Sequence, residues 1–258
     1  GMMDVKKALE EADGDMAKAA EILRIKGLKG VTKREGRSAS NGLVAAKAEG
    51  GIGTLVEVNC ETDFVAKGER FVALAEQVLA QAVATEATDA AALVASTSPD
   101  GRTVAELLIE GNAATGEKIE VRRVARVTGD KVVAYLHRTN KDLPPQIGVL
   151  VATSGADDTT AHDVAMHIAA FSPTALARED VPEDVVANER RIAEATAREE
   201  GKPEAALPRI IEGRVNGYFK ENVLLEQAFA KDQKKSVAQV LKEAGAEATG
   251  FARFRVGN

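Results

Sequence analysis

Hydrophobic and polar positions along the chain predict the same local structure twice. Residues 42–59 (GLVAAKAEGGIGTLVEVN) contain two β-rich runs around a Gly-Gly turn, and residues 131–153 repeat this arrangement with a longer, proline-containing loop. Apolar residues at helical spacing then follow each hairpin. They are Phe71, Leu74, Ala75, Val78 and Leu79 after the first hairpin, and Val164, Ile168 and Phe171 after the second.

Two later segments also match each other. TVAELL at residues 103–108 and SVAQVL at residues 236–241 each begin with a hydroxyl residue, which is a typical helix N-cap. A strand-like segment closes each unit, VRRVARV at residues 121–127 and FARFRV at residues 251–256. The order strand, strand, helices, strand therefore occurs twice. It predicts an α+β fold with two antiparallel sheets, each covered by helices.

The N-terminal segment predicts helices only. Val5, Ala8 and Leu9 recur at helical spacing, and a second helix is expected after Asp15, a natural N-cap. Two such short helices bury too little apolar surface to be stable alone, so we expect a further helix before Gly1. The predicted divisions are a helical domain at residues 1–27, a basic linker at 28–41, a first core subdomain at 42–129 and a second at 130–258.

A long helical insert interrupts the second core subdomain. It covers about residues 180–232, and a Gly-Lys-Pro break at residues 201–203 divides it into two apolar-faced segments. The pattern predicts a helical hairpin. Self-packing of its helices and a protruding surface for a partner or a second copy are equal alternatives.

Composition excludes several classes of function. The chain has 258 residues, of which 45% are hydrophobic but only 3% aromatic, so its core must consist mostly of Ala, Val, Leu and Ile. The longest apolar runs are too short to cross a bilayer. The single cysteine rules out an internal disulfide framework and fits a reducing cytoplasm. A net charge of −6 argues against broad nucleic-acid binding. We therefore expect a cytoplasmic protein without a membrane span or a specific nucleic-acid partner.

Residues that could catalyse a reaction or bind a metal are few. The phosphate-binding pattern GxxxxGK[ST] is absent, and GGIG at residues 50–53 lacks the third glycine of a dinucleotide fingerprint. His162 and His167 lie about 140° apart around a helix, so they cannot chelate one metal together. Cys60 has no evident histidine or CxxC partner. We predict no catalytic residue, no metal site and no cofactor, and thus a protein that is not an enzyme.

The segment NCETDFVAKGERF, residues 59–71, joins the first hairpin to its helix. Thr62 is a candidate N-cap, and Asp63 in the first helical turn would complement the helix dipole. Phe64 follows, in a chain that has seven phenylalanines, two tyrosines and no tryptophan. Because large aromatic side chains are usually buried, composition alone favours a core contact for Phe64.

Residues 56–67, VEVNCETDFVAK, closely resemble the hallmark segment of the bacterial elongation factor Ts family. GMMDVKKALEEADGD at the N-terminus resembles that family's first domain, and IGVLV, AMHIAAFSP, EGR and TGFARFRVG match it in order. The resemblance covers essentially the whole chain. It implies a guanine-nucleotide exchange factor for elongation factor Tu, with a ubiquitin-associated-like N-terminal domain, two similar core subdomains and a helical hairpin inserted in the second. It also implies a helix before the Gly-Met-Met segment, so the N-terminal domain is expected to be truncated.

The resemblance further implies which residues contact the partner. The segment Thr62, Asp63, Phe64 and Val65 would enter the partner's GTPase domain near its Mg²⁺ site, with Phe64 as a wedge and Asp63 disturbing the Mg²⁺ ligands. Further implied contacts are His137, on another side of the same domain, and Met2 and Met3, on a partner helix. GDP or GTP would be bound by the partner and not by this chain. Members of the family differ in whether two exchange factors pair, so homodimerisation is left open.

A ribosome- or RNA-associated adaptor is the alternative function. It would use the basic linker, but no aromatic residue lies among the linker charges to stack on bases, which favours a solvated linker. The adaptor hypothesis predicts an RNA affinity that falls steeply with salt. It also predicts that this affinity vanishes on neutralising Lys29, Lys33, Arg34 and Arg37.

Overall fold

The computed structural model describes residues 2–15, 18, 19, 22 and 37–258. Helix α1 (Met2–Glu11) forms at the N-terminus as the pattern predicts. The Asp15 carboxylate accepts a hydrogen bond from the Lys18 backbone N–H (3.2 Å), so the predicted N-cap is confirmed. Ala8, Ala12 and Ala19 are buried together. Most of the predicted basic linker lies outside the described residues.

The first sheet has three antiparallel strands in the order β1-β2-β3. These are β1 (Asn41–Glu49), β2 (Ile52–Cys60) and β3 (Glu120–Thr128). Between β2 and β3 lie α2 (Asp63–Ala66), α3 (Glu69–Thr85), α4 (Ala90–Ala95) and α5 (Val104–Thr115). These helices cover one face of the sheet around the buried side chains of Val56, Val58 and Phe71.

The second sheet repeats this antiparallel arrangement in the order β4-β5-β8. Its strands are β4 (Lys131–His137), β5 (Ile147–Ser154) and β8 (Glu247–Arg255). The intervening elements are α6 (Asp158–Phe171), α7 (Glu183–Glu199), α8 (Leu207–Asn222), β6 (Ala228–Phe229), β7 (Asp232–Ser236) and α9 (Val237–Glu243). The predicted order of strand, strand, helices, strand is thus present in both halves, and the α+β prediction is confirmed.

The two sheets pack against each other through the faces that the helices leave uncovered. Val44, Leu55, Val132 and Leu150 form the apolar layer between them. Close approach depends on glycine: a Cβ on Gly148 would lie 2.6 Å from the Leu55 Cδ1 atom. The layers are therefore helices, sheet, sheet and helices. Hydrophobic patterning predicted a helical cover for each sheet but not this contact between sheets.

The insert in the second unit is only partly helical. Helices α7 and α8 pack on each other around Val215 and Phe219, so the predicted helical hairpin is present, while a partner or second-copy surface on it stays a prediction. The remainder of the predicted range of 180–232 differs from the prediction. Beyond α8 it contains a short 3-10 turn (Leu224–Glu226) and strand β6, which pairs with β7 at the end of this range; both strands are too short to produce a visible alternation. Among the described helices, none is long and apolar enough to cross a membrane.

Candidate functional site

The candidate site begins where β2 ends, at Cys60. The Cys60 side chain is fully buried, and its S–H donates to the Thr62 carbonyl oxygen at 3.2 Å. Burial, together with the nearby Glu117 carboxylate, raises the pKa of the Cys60 thiol to about 12. The thiol is therefore protonated at neutral pH and is not a nucleophile.

Helix α2 is a single turn whose two sides differ. Thr62 is its N-cap, with extended backbone angles and a hydroxyl oxygen that accepts from the Val65 N–H (3.3 Å), as predicted. Ala66 is buried and Val65 is half-buried against the helix-side core of the first sheet. Asp63 and Phe64 lie on the other side and are exposed. Anchoring one side of the turn therefore directs the other side to solvent.

Phe64 is 75% exposed, more than any other large hydrophobic side chain in the described part of the chain. The Lys67 ammonium lies 5.8 Å from the centroid of its ring. The core contact favoured by composition is therefore wrong, because the buried side of this turn is taken by Val65 and Ala66. Leaving a phenylalanine in water forgoes about 1.5–3 kcal/mol of burial free energy. Such a ring is a strong candidate for contact with another molecule.

A carboxylate from a distant part of the chain holds this turn. Glu117, in the loop after α5, accepts hydrogen bonds from the Glu61 N–H (3.1 Å), the Thr62 N–H (3.0 Å) and the Thr62 hydroxyl (2.7 Å). The Glu61 carboxylate in turn accepts from the Lys118 N–H (2.9 Å). Sequence reasoning missed Glu117, because a glutamate in a polar loop gives no signal of a contact with a segment 55 residues away.

His137 is exposed at the end of β4, and its Nδ1 atom lies 3.0 Å from the Tyr135 hydroxyl. The Tyr135 ring also contacts the exposed His162 of α6 edge-on, with centroids 5.5 Å apart. Alternate residues of a strand share a face, so His137 and Tyr135 lie on the side of the second sheet that α6 covers. The predicted site histidine is therefore accessible, and it lies on the second sheet, whereas Phe64 lies on the helical turn that follows β2 of the first sheet.

The α2 turn and His137 lie at the same end of the paired sheets. The loop that follows His137 is fastened to β1: the Val44 N–H donates to the Pro145 carbonyl (3.0 Å) and the Gln146 side chain donates to the Gly42 carbonyl (2.9 Å). A groove of about 410 Å³ lies nearby, lined by Lys67 and Val72 of the first unit and by Leu136, Arg138 and Pro144 of the second; neither Phe64 nor His137 lines it. The structure thus places two of the predicted contact regions at one end of the paired sheets.

The other predicted contacts are described only in part. Met2 and Met3 lie in α1, but their side chains fall outside the described portion of the structure. Of the four basic linker residues considered for RNA binding, only Arg37 is described, and it pairs with the Glu61 carboxylate at 3.5 Å. Within the described residues, no group of three or more His, Cys, Asp or Glu side chains is placed to hold a metal ion.

Comparison with known proteins adds a relationship along the whole chain. A family model described as Elongation factor TS matches residues 61–258. The chain is 65% identical over 260 residues to Elongation factor Ts of Renibacterium salmoninarum, covering 100% of this chain and 93% of that protein. It is 62% identical over 261 residues to the protein of that name from Pseudarthrobacter chlorophenolicus, covering 100% and 94%. It is 63% identical over 264 residues to Elongation factor Ts of Beutenbergia cavernae, covering 100% of this chain and 93% of that protein.

Proposed function

Because this chain belongs to the elongation factor Ts family, we propose that it is a guanine-nucleotide exchange factor for elongation factor Tu. It binds the GDP-bound partner and promotes GDP release during translation elongation. The nucleotide is held by the partner, and no covalent bond forms or breaks in this chain. The function is therefore one of binding, in which interface free energy is used to weaken a second ligand.

The exposed ring of Phe64 is the observation that carries this proposal. It projects from a turn whose other side is buried, so it can enter a partner without unfolding its own domain. We propose that Phe64 inserts between helices of the partner's GTPase domain, close to its Mg²⁺ site. Asp63 then brings a carboxylate near the Mg²⁺ ligands, while Thr62 and Val65 hold the turn.

Linkage explains how such an insertion releases GDP. Mg²⁺ supplies much of the charge neutralisation of the nucleotide phosphates, so deforming its site weakens nucleotide binding. Each ~1.4 kcal/mol of coupling free energy corresponds to a tenfold loss of affinity. Coupling is reciprocal, so incoming nucleotide weakens the exchange factor by the same factor. This chain need not discriminate between GDP and GTP, because their cellular concentrations set the direction of exchange.

Further contacts are proposed from the family pattern. His137 contacts the same partner domain on another side. In the tautomer of His137 whose Nδ1 accepts from the Tyr135 hydroxyl, the Nε2–H is free to donate to a partner acceptor. Met2 and Met3 of α1 contact a partner helix, and the second core subdomain contacts another partner domain.

Phe64→Ala tests the proposal. We expect the variant to lose at least about tenfold of the acceleration of GDP release. Its free energy of unfolding should change by less than about 0.5 kcal/mol, because the ring is largely exposed. A buried phenylalanine would lose about 3–5 kcal/mol on the same substitution. The measurements are release of a fluorescent GDP analogue from elongation factor Tu at fixed Mg²⁺ concentration, and unfolding in urea.

Ile52→Ala is the matched control for this experiment. Ile52 is also exposed (43%), but it lies at the β1–β2 turn, at the opposite end of the first sheet from α2. We expect it to leave exchange unchanged. If the two variants exchange equally well, or if Phe64→Ala loses several kcal/mol of stability, the wedge mechanism is wrong. If the unmodified chain does not accelerate GDP release, the exchange function itself is wrong.

A further inference from the structure

We propose that Glu117 is a positioning residue for nucleotide exchange, an inference that rests on the proposed function. Glu117 touches neither the nucleotide nor, in this proposal, the partner. It acts through the α2 turn, which it holds in the one orientation that presents Phe64 and Asp63 outward. Residues 61–62, which precede the turn, and residues 117–118 together form what we call the clamp.

Helix α2 needs an external support because of its size. It has only four residues, and a single helical turn is unstable by itself, since few hydrogen bonds offset the loss of backbone freedom. Packing of Val65 and Ala66 fixes one side of it. The exposed Phe64 ring has too few contacts of its own to orient it. The direction of Phe64 therefore depends on what holds the backbone at Thr62.

Glu117 supplies that support because its carboxylate accepts three hydrogen bonds from Glu61 and Thr62. Bonds of this kind are shorter and stronger than neutral ones. The Thr62 hydroxyl is shared: it donates to Glu117 (2.7 Å) and accepts from the Val65 N–H (3.3 Å). The carboxylate is thereby joined to the helix cap itself. Loss of Glu117 would release the entry to the helix and its cap at the same time.

The hydrogen bonds of the clamp run in both directions between its two segments, and helix α5 fixes the position of one of these segments. While Glu117 holds Glu61 and Thr62, the Glu61 carboxylate holds the Lys118 N–H at 2.9 Å. Helix α5 ends at Thr115, and its C-cap Gly116, directly before Glu117, has a φ of +75°, the left-handed conformation that favours glycine. Helix α5, packed on the sheet through one side, therefore places Glu117 directly beside the turn. The four hydrogen bonds tie two loops that lie 55 to 57 residues apart.

A pre-ordered turn favours insertion of Phe64. If the turn were mobile in the free chain, binding would have to order it, and this ordering would subtract from the free energy available to deform the partner. Glu117 orders the turn before the partner is met. It therefore increases the coupling between binding and nucleotide release while contributing little contact area.

A double-mutant cycle with Phe64 separates positioning from general stability. We expect Glu117→Ala to lower the acceleration of GDP release at saturating exchange factor about tenfold when Phe64 is present. In the Phe64→Ala background it should lower the acceleration less than about twofold. A residue with only a structural role would produce the same fold-change in both backgrounds. GDP release from elongation factor Tu is again the measurement.

Two variants serve as controls. Glu117→Gln keeps an oxygen that can accept from the Glu61 and Thr62 N–H groups, so we expect it to recover most of the activity. Glu110→Ala removes a carboxylate of α5 that pairs with Arg102 and does not contact the turn; it should behave as the unmodified chain. Amide hydrogen exchange of the free chain should show faster exchange at Glu61 and Thr62 in Glu117→Ala only.

The outcomes separate this inference from the proposed function. If Phe64→Ala is defective while Glu117→Ala exchanges normally, positioning by Glu117 is wrong and the exchange function stands. Equal losses in both backgrounds also overturn the inference. If Glu117→Ala unfolds, Glu117→Asp replaces it in the cycle, because it keeps the charge but shortens the reach. An unmodified chain that fails to release GDP contradicts the proposed function instead.

Discussion

His167 is a fully buried histidine whose protonation state is set by its neighbours. Its Nδ1 atom accepts from the Ala230 N–H (3.1 Å), and Nε2 lies 2.9 Å from the Gln227 side-chain oxygen. The ring is stacked on Phe171 (centroids 4.9 Å apart) and on Phe229 (5.8 Å). Only a neutral imidazole protonated at Nε2 satisfies both hydrogen bonds. A second proton would have to displace the bond from Ala230.

Stability should therefore depend on pH through His167. Burial lowers its pKa below the ordinary value of 6.5, and the Gln227 hydrogen bond opposes this shift. Below 6.5 the unfolded chain takes up a proton that the folded chain does not, so stability is fully present above that pH. It should fall as pH drops from there towards the lowered pKa of the folded state.

The test is urea unfolding between about pH 8 and about pH 5. His167→Gln should remove this part of the pH dependence, while His162→Gln, an exposed histidine on the same helix, should retain it. A pH dependence that is identical in the unmodified chain and in His167→Gln would contradict the assignment.

At the scale of elements, the same capping interaction begins a helix in both halves. The Thr103 hydroxyl accepts from the Glu106 N–H at the start of α5, and the Ser236 hydroxyl accepts from the Gln239 N–H at the start of α9, each at 3.1 Å. Each cap satisfies a backbone donor that has no partner within its helix. These caps were predicted from sequence, since they involve residues only three positions apart.

Removing either cap should destabilise the protein by a similar amount. We expect Thr103→Ala and Ser236→Ala each to lower the free energy of unfolding by about 1 kcal/mol. Thr103→Ser should lose much less, because a serine hydroxyl can make the same bond. Urea unfolding of the three variants measures this. A Thr103→Ala variant as stable as Thr103→Ser would show that the cap contributes nothing.

At the scale of the whole molecule, a buried carboxylate joins the first sheet to the C-terminal segment. Glu57 of β2 is fully buried and accepts from the Arg123 side chain of β3 (2.7 Å) and from the Asn59 amide (3.0 Å). The Gly257 N–H, just beyond β8, also donates to it (3.0 Å). The Arg123 guanidinium stacks on the Phe254 ring, 4.5 Å from its centroid. This network links β2, β3 and β8 at the contact between the sheets.

Arg123→Ala should therefore be strongly destabilising. It leaves a fully buried carboxylate without its main counter-charge, and we expect a loss of about 3 kcal/mol in the free energy of unfolding. Arg122→Ala is the control, because Arg122 is the neighbouring, exposed arginine of the same strand and should change stability by less than about 0.5 kcal/mol. Thermal or urea unfolding of both variants measures the two losses of stability. Equal effects would show that the buried pair is not needed for stability.

The sequence by itself determined what depends on neighbours along the chain. Strands β1, β2, β4 and β5, helix α3, and the caps at Thr62, Thr103 and Ser236 formed where periodicity and capping residues predicted them. These features rest on hydrogen bonds and side-chain spacing within a few residues, so the local sequence contains their cause. The duplicated order of elements followed for the same reason, and with it the α+β fold. The segment that contains Phe64 was also recognisable from sequence, because residues 56–67 alone resemble the hallmark segment of the family.

Only the tertiary structure decided which groups face each other and which face solvent. The exposure of Phe64 followed from packing of the opposite side of its turn, and composition had favoured the reverse. The Glu117 carboxylate accepts from Thr62, 55 residues away, and the Glu57 carboxylate accepts from Gly257, 200 residues away. Back-to-back packing of the sheets likewise buried both faces of β2 and β5. Such contacts depend on how distant segments meet in three dimensions, and no local pattern encodes that meeting.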